Sequence, residues 1–276
     1  MNARAHKAIP RRLARVREVL RSCRLCPRGC GSDRTAGVMG FCGLTDRARC
    51  YRELINPYEE RELSPSHHVY FAGCNLRCEF CTVSEWNERP GAAAELDVEA
   101  MSAAVARARA AGARNLNLVG GEPAVSLAGV LDLLAAVPAA TRVVWNSNMY
   151  FSPLVLEVLD GLADVVLADF KAWDTGCGKR LLGAADYAVW VRLNLRRARR
   201  LGDLIVRHLV LPGHFECCTR PILEFLARDL PGVKVSLRGD YVPPARAKRA
   251  PAGYLTKREH DRALDAARSY GLNVIE

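Results

Sequence analysis

Residues 67–81 read His67-His68-Val69-Tyr70-Phe71-Ala72-Gly73-Cys74-Asn75-Leu76-Arg77-Cys78-Glu79-Phe80-Cys81. The apolar run predicts a strand near 68–73. That strand delivers the chain into a loop whose three cysteines are separated by three residues and then by two. Downstream, strand-like runs near 114–119, 142–146, 164–169, 205–211 and 233–238 alternate with helical patterns near 97–111, 124–136, 153–161, 178–199 and 218–229. A last helix is expected near 256–270, and 243–251 reads as a basic, proline-containing surface loop. Strand–helix alternation with near-continuous apolar strands predicts a parallel sheet buried on both faces. The expected fold is therefore α/β, an incomplete (β/α)6 parallel barrel with a small N-terminal metal-binding module.

A loop this short can aim the thiolates of Cys74, Cys78 and Cys81 at one point. Three thiolates can hold three irons of a four-iron cluster and leave the fourth iron open, and an open metal position admits a ligand or substrate. The rival is a zinc site completed by His67 or His68. Those histidines begin the predicted strand and the cysteines follow its end, which argues against zinc.

The chain has 276 residues, half of them hydrophobic, enough for a sizeable core. No apolar run is long enough to span a bilayer, and the N-terminus lacks the apolar region of a secretory signal. Eleven cysteines in such a chain predict a cytoplasmic protein with metal or redox use rather than a disulfide framework. The net charge is +10, and much of the excess lies in residues 1–28, where Arg4, Lys7, Arg11, Arg12, Arg15, Arg17, Arg21, Arg24 and Arg28 face one acid, Glu18. An amphipathic helix is expected over 9–21, with Leu13, Val16 and Leu20 on one side. Such a run can bind nucleic acid or dock an acidic redox partner, but it also reads as a solvated helix face, and no nucleic-acid module accompanies it.

A second set, Cys23, Cys26, Cys30 and Cys42, makes a closed four-sulfur site, either a zinc knuckle or a second iron–sulfur cluster. The expected organisation is 1–66 for the basic helix, this module and a polar, extended linker, and 67–276 for the barrel and C-terminal helix. Cys50, Cys177, Cys217 and Cys218 remain; they read as buried or idle thiols, since neighbouring cysteines do not readily share one cluster iron.

Polar groups gather where the expected strands end, the edge at which parallel α/β folds place their sites. They are Gly120-Gly121-Glu122-Pro123, then Asn146, Ser147 and Asn148, then Asp169 and Lys171, and then Ser236, Arg238 and Asp240. Arg207 and His208, which open the fifth strand, read equally well as structural ion-pair residues.

The Cys74/Cys78/Cys81 loop resembles that of the radical S-adenosylmethionine (SAM) enzymes. The resemblance implies that the open iron binds the amino and carboxylate groups of SAM. It also implies that one electron cleaves SAM to methionine and a 5′-deoxyadenosyl radical, which takes a hydrogen atom from substrate. Gly120, Gly121, Glu122 and Pro123 match the superfamily's Gly-Gly-Glu-Pro motif, which implies a binding edge for the SAM ammonium group. By the same resemblance Asn148, Asp169 and Lys171 occupy positions that contact the SAM ribose, its carboxylate or a substrate peptide.

Residues 20–275, with Cys23-Arg24-Leu25-Cys26-Pro27-Arg28-Gly29-Cys30 and Val206-Arg207-His208-Leu209-Val210-Leu211-Pro212-Gly213, resemble the pyruvate-formate-lyase-activating-enzyme-like subgroup. This implies an oxidoreductase fed by a low-potential donor such as flavodoxin or ferredoxin. Its substrate would be a glycyl radical enzyme partner, or alternatively a peptide or small metabolite. Two features depart from true activators: the extra cysteine module comes first, and Cys81 runs into Thr82-Val83-Ser84-Glu85-Trp86. A zinc or iron–sulfur nucleic-acid-binding protein is the distant alternative, and it leaves the glycine motif and the polar strand ends without a role.

Overall fold

The computed structural model describes residues 1–245 and 248–275; Arg246 and Ala247, within the loop expected at 243–251, lie outside the described residues. The strands are β1 (Arg49–Asn56), β2 (Ser66–Phe71), β3 (Ala94–Glu95), β4 (Leu116–Gly120), β5 (Val143–Ser147), β6 (Val165–Asp169), β7 (Asp203–Leu209), β8 (Lys234–Arg238) and β9 (Asn273–Ile275). They form one sheet in the order β3-β1-β2-β4-β5-β6-β7-β8-β9. From β2 through β9 every pairing is parallel, and β1 runs antiparallel to both β2 and β3. The sheet does not close, so this is an open, mostly parallel partial barrel, as the alternation of apolar runs predicts.

The helices are α1 (Ala3–Lys7), α2 (Ile9–Leu20), α3 (Ser84–Glu88), α4 (Val98–Ala110), α5 (Leu127–Ala136), α6 (Leu154–Leu159), α7 (Thr175–Leu182), α8 (Tyr187–Ala198), α9 (Arg220–Asp229) and α10 (Lys257–Ser269). Between β7 and α9 lies a π-helical turn, Phe215–Thr219. β5 and β6 are apolar up to their polar C-terminal ends because they are buried on both faces: Val143, Val144, Trp145, Val165, Val166, Leu167 and Ala168 are all almost wholly inaccessible. One face packs on α5, whose Leu127, Val130, Leu131, Leu133 and Leu134 are fully buried. Inside the barrel Leu63 closes the floor against Val144, Val165, Leu167 and Ile205. Each such side chain contributes about 1.5–3 kcal/mol by leaving water.

Three departures from the sequence reading have local causes. The helix expected over 178–199 is two helices, because Gly183 takes a left-handed φ of 66° and ends α7. β1 is a strand rather than a linker: its residues are polar and half exposed, and its regularity comes from pairing with β2. β9 spans three residues, too short for a period to show.

The basic N-terminal helix is docked on the barrel. Ile9, Val16 and Leu20 are buried in the main core, and α2 packs against α5. Arg12 donates to the carbonyls of Val158 and Asp160, Arg15 pairs with Glu157 and Arg17 with Asp132. Part of the positive run is thus engaged with the protein's own surface. Among the described residues no helix is long and apolar enough to cross a membrane.

Candidate active site

The cysteine loop leaves the C-terminal end of β2 and has almost no regular structure of its own, so neighbours fix its shape. Gly73 has a φ of 82°, and a Cβ there would come within 2.9 Å of Cys42 O and of the Leu44 side chain, so only glycine lets the loop turn this closely. Gly73 N donates to Trp86 O, while Glu122 N donates to Gly73 O and Gly121 N to Phe71 O (2.7 Å). Further along, Arg77 N and Glu79 N donate to the carbonyls of Leu182 (2.9 Å) and Leu181 (2.8 Å) at the end of α7. The Arg77 guanidinium binds the loop's own carbonyls at Cys74 and Leu76.

With the backbone so held, all three thiols face one cavity of about 300 Å³. Its other walls include Gly120 and Gly121 at the end of β4, Asn148 beyond β5, Asp169 at the end of β6 and Lys171 beyond it, and Arg207 from β7. The cavity thus gathers the glycine pair with Asn146, Ser147, Asn148, Asp169 and Lys171 of the strand ends picked out in the sequence, whereas Ser236, Arg238 and Asp240 line a separate pocket. A second cavity, also about 300 Å³, shares Cys78 and Cys81 and is walled by Arg77, Glu79, Ser84 and Glu88.

The thiols sit in a setting that suits metal-bound thiolates. Cys74 accepts from Leu76 N at 3.4 Å and from Asn148 Nδ2 at 3.6 Å, and Cys81 accepts from Asn87 Nδ2 at 3.4 Å. Burial pushes Cys74 far up and Cys78 to about 12, with Lys171 pulling Cys78 back down. Thiols in so dry a place ionise when a cation takes the proton's place, which is the chemistry of a metal ligand. Asn87 Oδ1 and the Tyr51 hydroxyl are buried without partners on the same cavity wall. Tyr51 is itself held by stacking on Trp86, ring centroids 4.9 Å apart.

Glu122 and Pro123 do not line the cavity; they open a 3-10 turn behind it. The Glu122 carboxylate is fully buried and accepts from Ala124 N, Ser147 Oγ and Asn148 N. Burial pushes it up to about 7 against those bonds. It ties the β4 edge to the β5 edge and places Asn148, whose Nδ2 also donates to Asn75 Oδ1 at 2.9 Å. Tyr187, fully buried, links the next two strand ends: its hydroxyl is 2.9 Å from Asp169 O and 3.1 Å from Asn148 O.

Below the cavity lies a charged network. Arg207 donates from Nε to Asp169 (2.7 Å), from Nη1 to Glu59 (3.0 Å) and from Nη2 to Asn146 (2.7 Å), with Glu60 at 3.7 Å. Burial alone would raise Asp169, but Arg207 and Lys171 outweigh it and hold the carboxyl near 2. Burial likewise opposes ionisation of Glu59, yet His68 and Arg207 keep it low, while its neighbour Glu60 is pushed up by burial and by Glu59. The two neighbouring carboxyls are thus driven apart, Glu59 towards the ionised form and Glu60 towards the neutral one. His67 and His68 are engaged with Glu53 and Glu59, and neither lines the cavity that the three thiols face. Arg207 is therefore an ion-pair residue that also reaches the cavity. Glu59, Glu60, Tyr51 and Asn87 carried no signal in the sequence, since they come from β1, its following turn and a short helix, and Tyr70 read only as part of the apolar strand β2.

The four N-terminal cysteines also come together. Charge on Cys23 and Cys30 adds to the burial that pushes Cys42 up, charge on Cys42 and Cys23 does the same at Cys26, and a Cβ on Gly40 would lie within 3.5 Å of both the Cys30 and Cys42 sulfurs. Arg34, almost completely buried, donates to Thr45 O, Val125 O and, at 3.8 Å, Cys23 Sγ. The module abuts the cluster loop: Arg28 Nε donates to Asn75 O, and the Asn75 side chain lies against the Cys26 sulfur.

An uncharacterised protein of Methanocaldococcus jannaschii is 32% identical over 270 residues, 94% of this chain and 78% of that protein. Among solved structures, Streptococcus suis SuiB bound to its precursor peptide SuiA superposes with a TM-score of 0.57 at 14% identity, over 73% of this chain. SuiB bound to S-adenosylmethionine does so with a TM-score of 0.54 over 73% of the chain, again at 14% identity. The chain spans less than half of those SuiB chains, 46% and 47%, and at such identity the likeness is one of fold. The Radical SAM superfamily matches residues 69–226, from β2 into α9, a range that holds the three thiols and, except for Tyr51, every wall residue of their cavity named above. The chain belongs to the radical SAM superfamily.

Proposed function

We propose that Cys74, Cys78 and Cys81 hold the [4Fe–4S] cluster that family membership implies, that SAM lies along the strand ends beside them, and that the enzyme acts on a segment of a protein or peptide. The observation that carries this is the single cavity lined by all three thiols together with Gly120, Gly121, Asn148, Asp169 and Lys171. When bound, the cluster and SAM supply one-electron cleavage of SAM and abstraction of a hydrogen atom from substrate.

The residues supply positioning. Gly120 and Gly121 let the end of β4 pack directly on Phe71 and Gly73, where any side chain would collide, and so bring strand-edge backbone up to the cysteine loop. Lys171, held at 2.5 Å from Asp169, places a cation beside Cys78 and suits a ligand carboxylate. Leu76, Asn87 and Asn148 stabilise the thiolates by donated hydrogen bonds.

A cavity of this size is occupied largely by the cofactors. Substrate then enters from the adjoining cavity walled by Arg77, Glu79 and Glu88, whose mixed charge suits an extended peptide. A glycyl radical partner is the version the subgroup resemblance favours; SuiB, which shares the fold, binds a precursor peptide. Cys23, Cys26, Cys30 and Cys42 hold a second metal centre, and contact through Asn75 with the cluster loop favours a redox centre fed by a flavodoxin- or ferredoxin-like donor.

The test is iron, sulfide and zinc content after anaerobic reconstitution, with SAM cleavage assayed in wild type and Cys78→Ala. About eight irons per chain, falling to about four without the loop thiols, is expected of two four-iron clusters. About four irons and a zinc at the N-terminal set would make that module structural. Cleavage that survives in Cys78→Ala with the loop's cluster gone would overturn the assignment. Peptide-dependent stimulation of cleavage, or a glycyl radical on a partner, would identify the substrate class.

A further inference from the structure

Three of the four cysteines left without a role in the sequence meet in space. Cys177 on α7 and His214, Cys217 and Cys218 beyond β7 place one sulfur or ring nitrogen each so that all four atoms lie within 4.8 Å of one another. Cys177 Sγ is 3.8 Å from Cys217 Sγ and 3.5 Å from His214 Nδ1, and Cys217 Sγ is 3.3 Å from the same nitrogen. We propose that these residues form a mononuclear Cys3His zinc site, separate from the two cysteine sets described above.

The distances decide the kind of metal. With Zn–S near 2.3 Å and Zn–N near 2.0–2.1 Å, a tetrahedral ion separates its sulfurs by about 3.8 Å and a sulfur from a nitrogen by about 3.5 Å. The observed spacings match those edges. An iron–sulfur cluster would spread its thiolates over several metal atoms and hold them farther apart.

The π-helical turn Phe215–Thr219 explains how neighbouring cysteines can share one ion. Its wider winding brings both Cys217 and Cys218 towards Cys177, with Cys218 N and Thr219 N both donating to His214 O. Cys177 and Cys218 are almost wholly buried, as structural zinc ligands commonly are. Donors are in place around the sulfurs: Arg180 Nη2 lies 3.5 Å from Cys177 Sγ and Trp173 N lies 3.5 Å from Cys218 Sγ. The three thiols release their protons on binding, His214 ligates through Nδ1, and the resulting site carries a single negative charge opposite Arg180.

The ion would clip the start of α7 to the turn after β7. The other end of α7 supplies the Leu181 and Leu182 carbonyls that hold the cysteine loop of the active site. Its role is thus structural and remote from the chemistry.

The protein is expressed in zinc-supplemented medium, wild type and a variant with Cys23, Cys26, Cys30 and Cys42 all changed to Ser, and zinc is measured per chain by mass spectrometry. About one zinc is expected to persist in the quadruple variant, with an X-ray absorption edge fitted by three sulfurs and one nitrogen. Adding Cys177→Ser should remove it, and His214→Cys should retain it with a four-sulfur edge. Should the quadruple variant not fold, the same subtraction is made between wild type and Cys177→Ser alone. Zinc absent from the quadruple variant, zinc unaffected by Cys177→Ser, iron and sulfide in its place, or a disulfide among Cys177, Cys217 and Cys218 in anaerobically purified protein would each overturn the proposal.

Discussion

Replacing Arg207 by Met removes the one cation that, among the described residues, faces Asp169, Glu59 and Glu60 together, while keeping much of the side chain's volume. Asp169 is held near 2 against an ordinary 3.8. A shift of that size corresponds to about 2 kcal/mol of stabilisation of the ionised form, of which Arg207 supplies the largest favourable share. Because this carboxyl is depressed in the folded state, its contribution is complete above about pH 4 and fades as pH falls towards 2. Glu59 loses the Arg207 guanidinium, 3.0 Å away, and keeps its contact with His68. Stripping one member from a buried ion network typically costs about 3–5 kcal/mol, and that is the loss expected at pH 7.5.

In the variant, burial acts on these carboxyls with less opposition, so their folded-state affinities for protons rise above those of the unfolded chain. Stability of the variant then increases as pH falls, and its deficit relative to wild type should narrow by about 1–2 kcal/mol between pH 7.5 and pH 5. Urea unfolding of both proteins at the two pH values measures this, and Glu59→Gln added to Arg207→Met should recover part of the loss. A deficit below about 1 kcal/mol, or one independent of pH, would refute the assignment of a mutually compensating network.

Two other substitutions test the framework around the cavity. Gly121→Ala drives a methyl into the Gly73 carbonyl and the Asn87 side chain; a loss of about 1–3 kcal/mol in urea unfolding is expected, together with weaker SAM binding by equilibrium dialysis. Arg34→Met leaves the Thr45 and Val125 carbonyls without their buried donor and takes the cation from beside Cys23. It should cost about 2–3 kcal/mol and lower metal retention by the N-terminal cysteines, read as metal per chain after dialysis against a chelator, while the Cys74/Cys78/Cys81 loop keeps its iron.

What the sequence disclosed, and what it hid, follows from periodicity. Strands such as Val165–Asp169 are apolar on both faces because both are buried, so they announce themselves without any partner being known. The three thiols stood out by their spacing, and Asn148, Asp169 and Lys171 as polar residues at strand ends, which a parallel sheet sends to one edge, where the structure sets them around one cavity. Glu59 and Glu60 were not, since a buried acid pair in a polar turn looks like any exposed one until Arg207, 148 residues from Glu59, is seen between them and Asp169. Cys177 and His214 were hidden for the same reason, 37 residues apart and joined only by the folding of α7 onto the turn after β7.

The cysteine loop itself carries the deeper lesson about rigidity. Hydrogen-atom abstraction demands that the reacting groups be held to a fraction of an ångström, and an irregular loop has few bonds of its own with which to do so. Residues 74–81 take their rigidity from two sides. On one, Asn75 is pinned between Asn148 and Cys26, and Arg77 Nη2 donates to Phe41 O within the N-terminal cysteine module. On the other, the N–H groups of Arg77 and Glu79 end on α7, whose first turn carries Cys177. A metal in either flanking site would therefore stiffen the central loop without touching substrate. Loss of the N-terminal metal should loosen the loop at Asn75, and loss of the zinc should loosen it at Arg77 and Glu79. Hydrogen–deuterium exchange separates the two: exchange at 75–76 should respond to Cys26→Ser and exchange at 77–79 to Cys177→Ser. Equal acceleration of the whole loop in both variants would mean that the flanking sites act through global stability and not through these contacts.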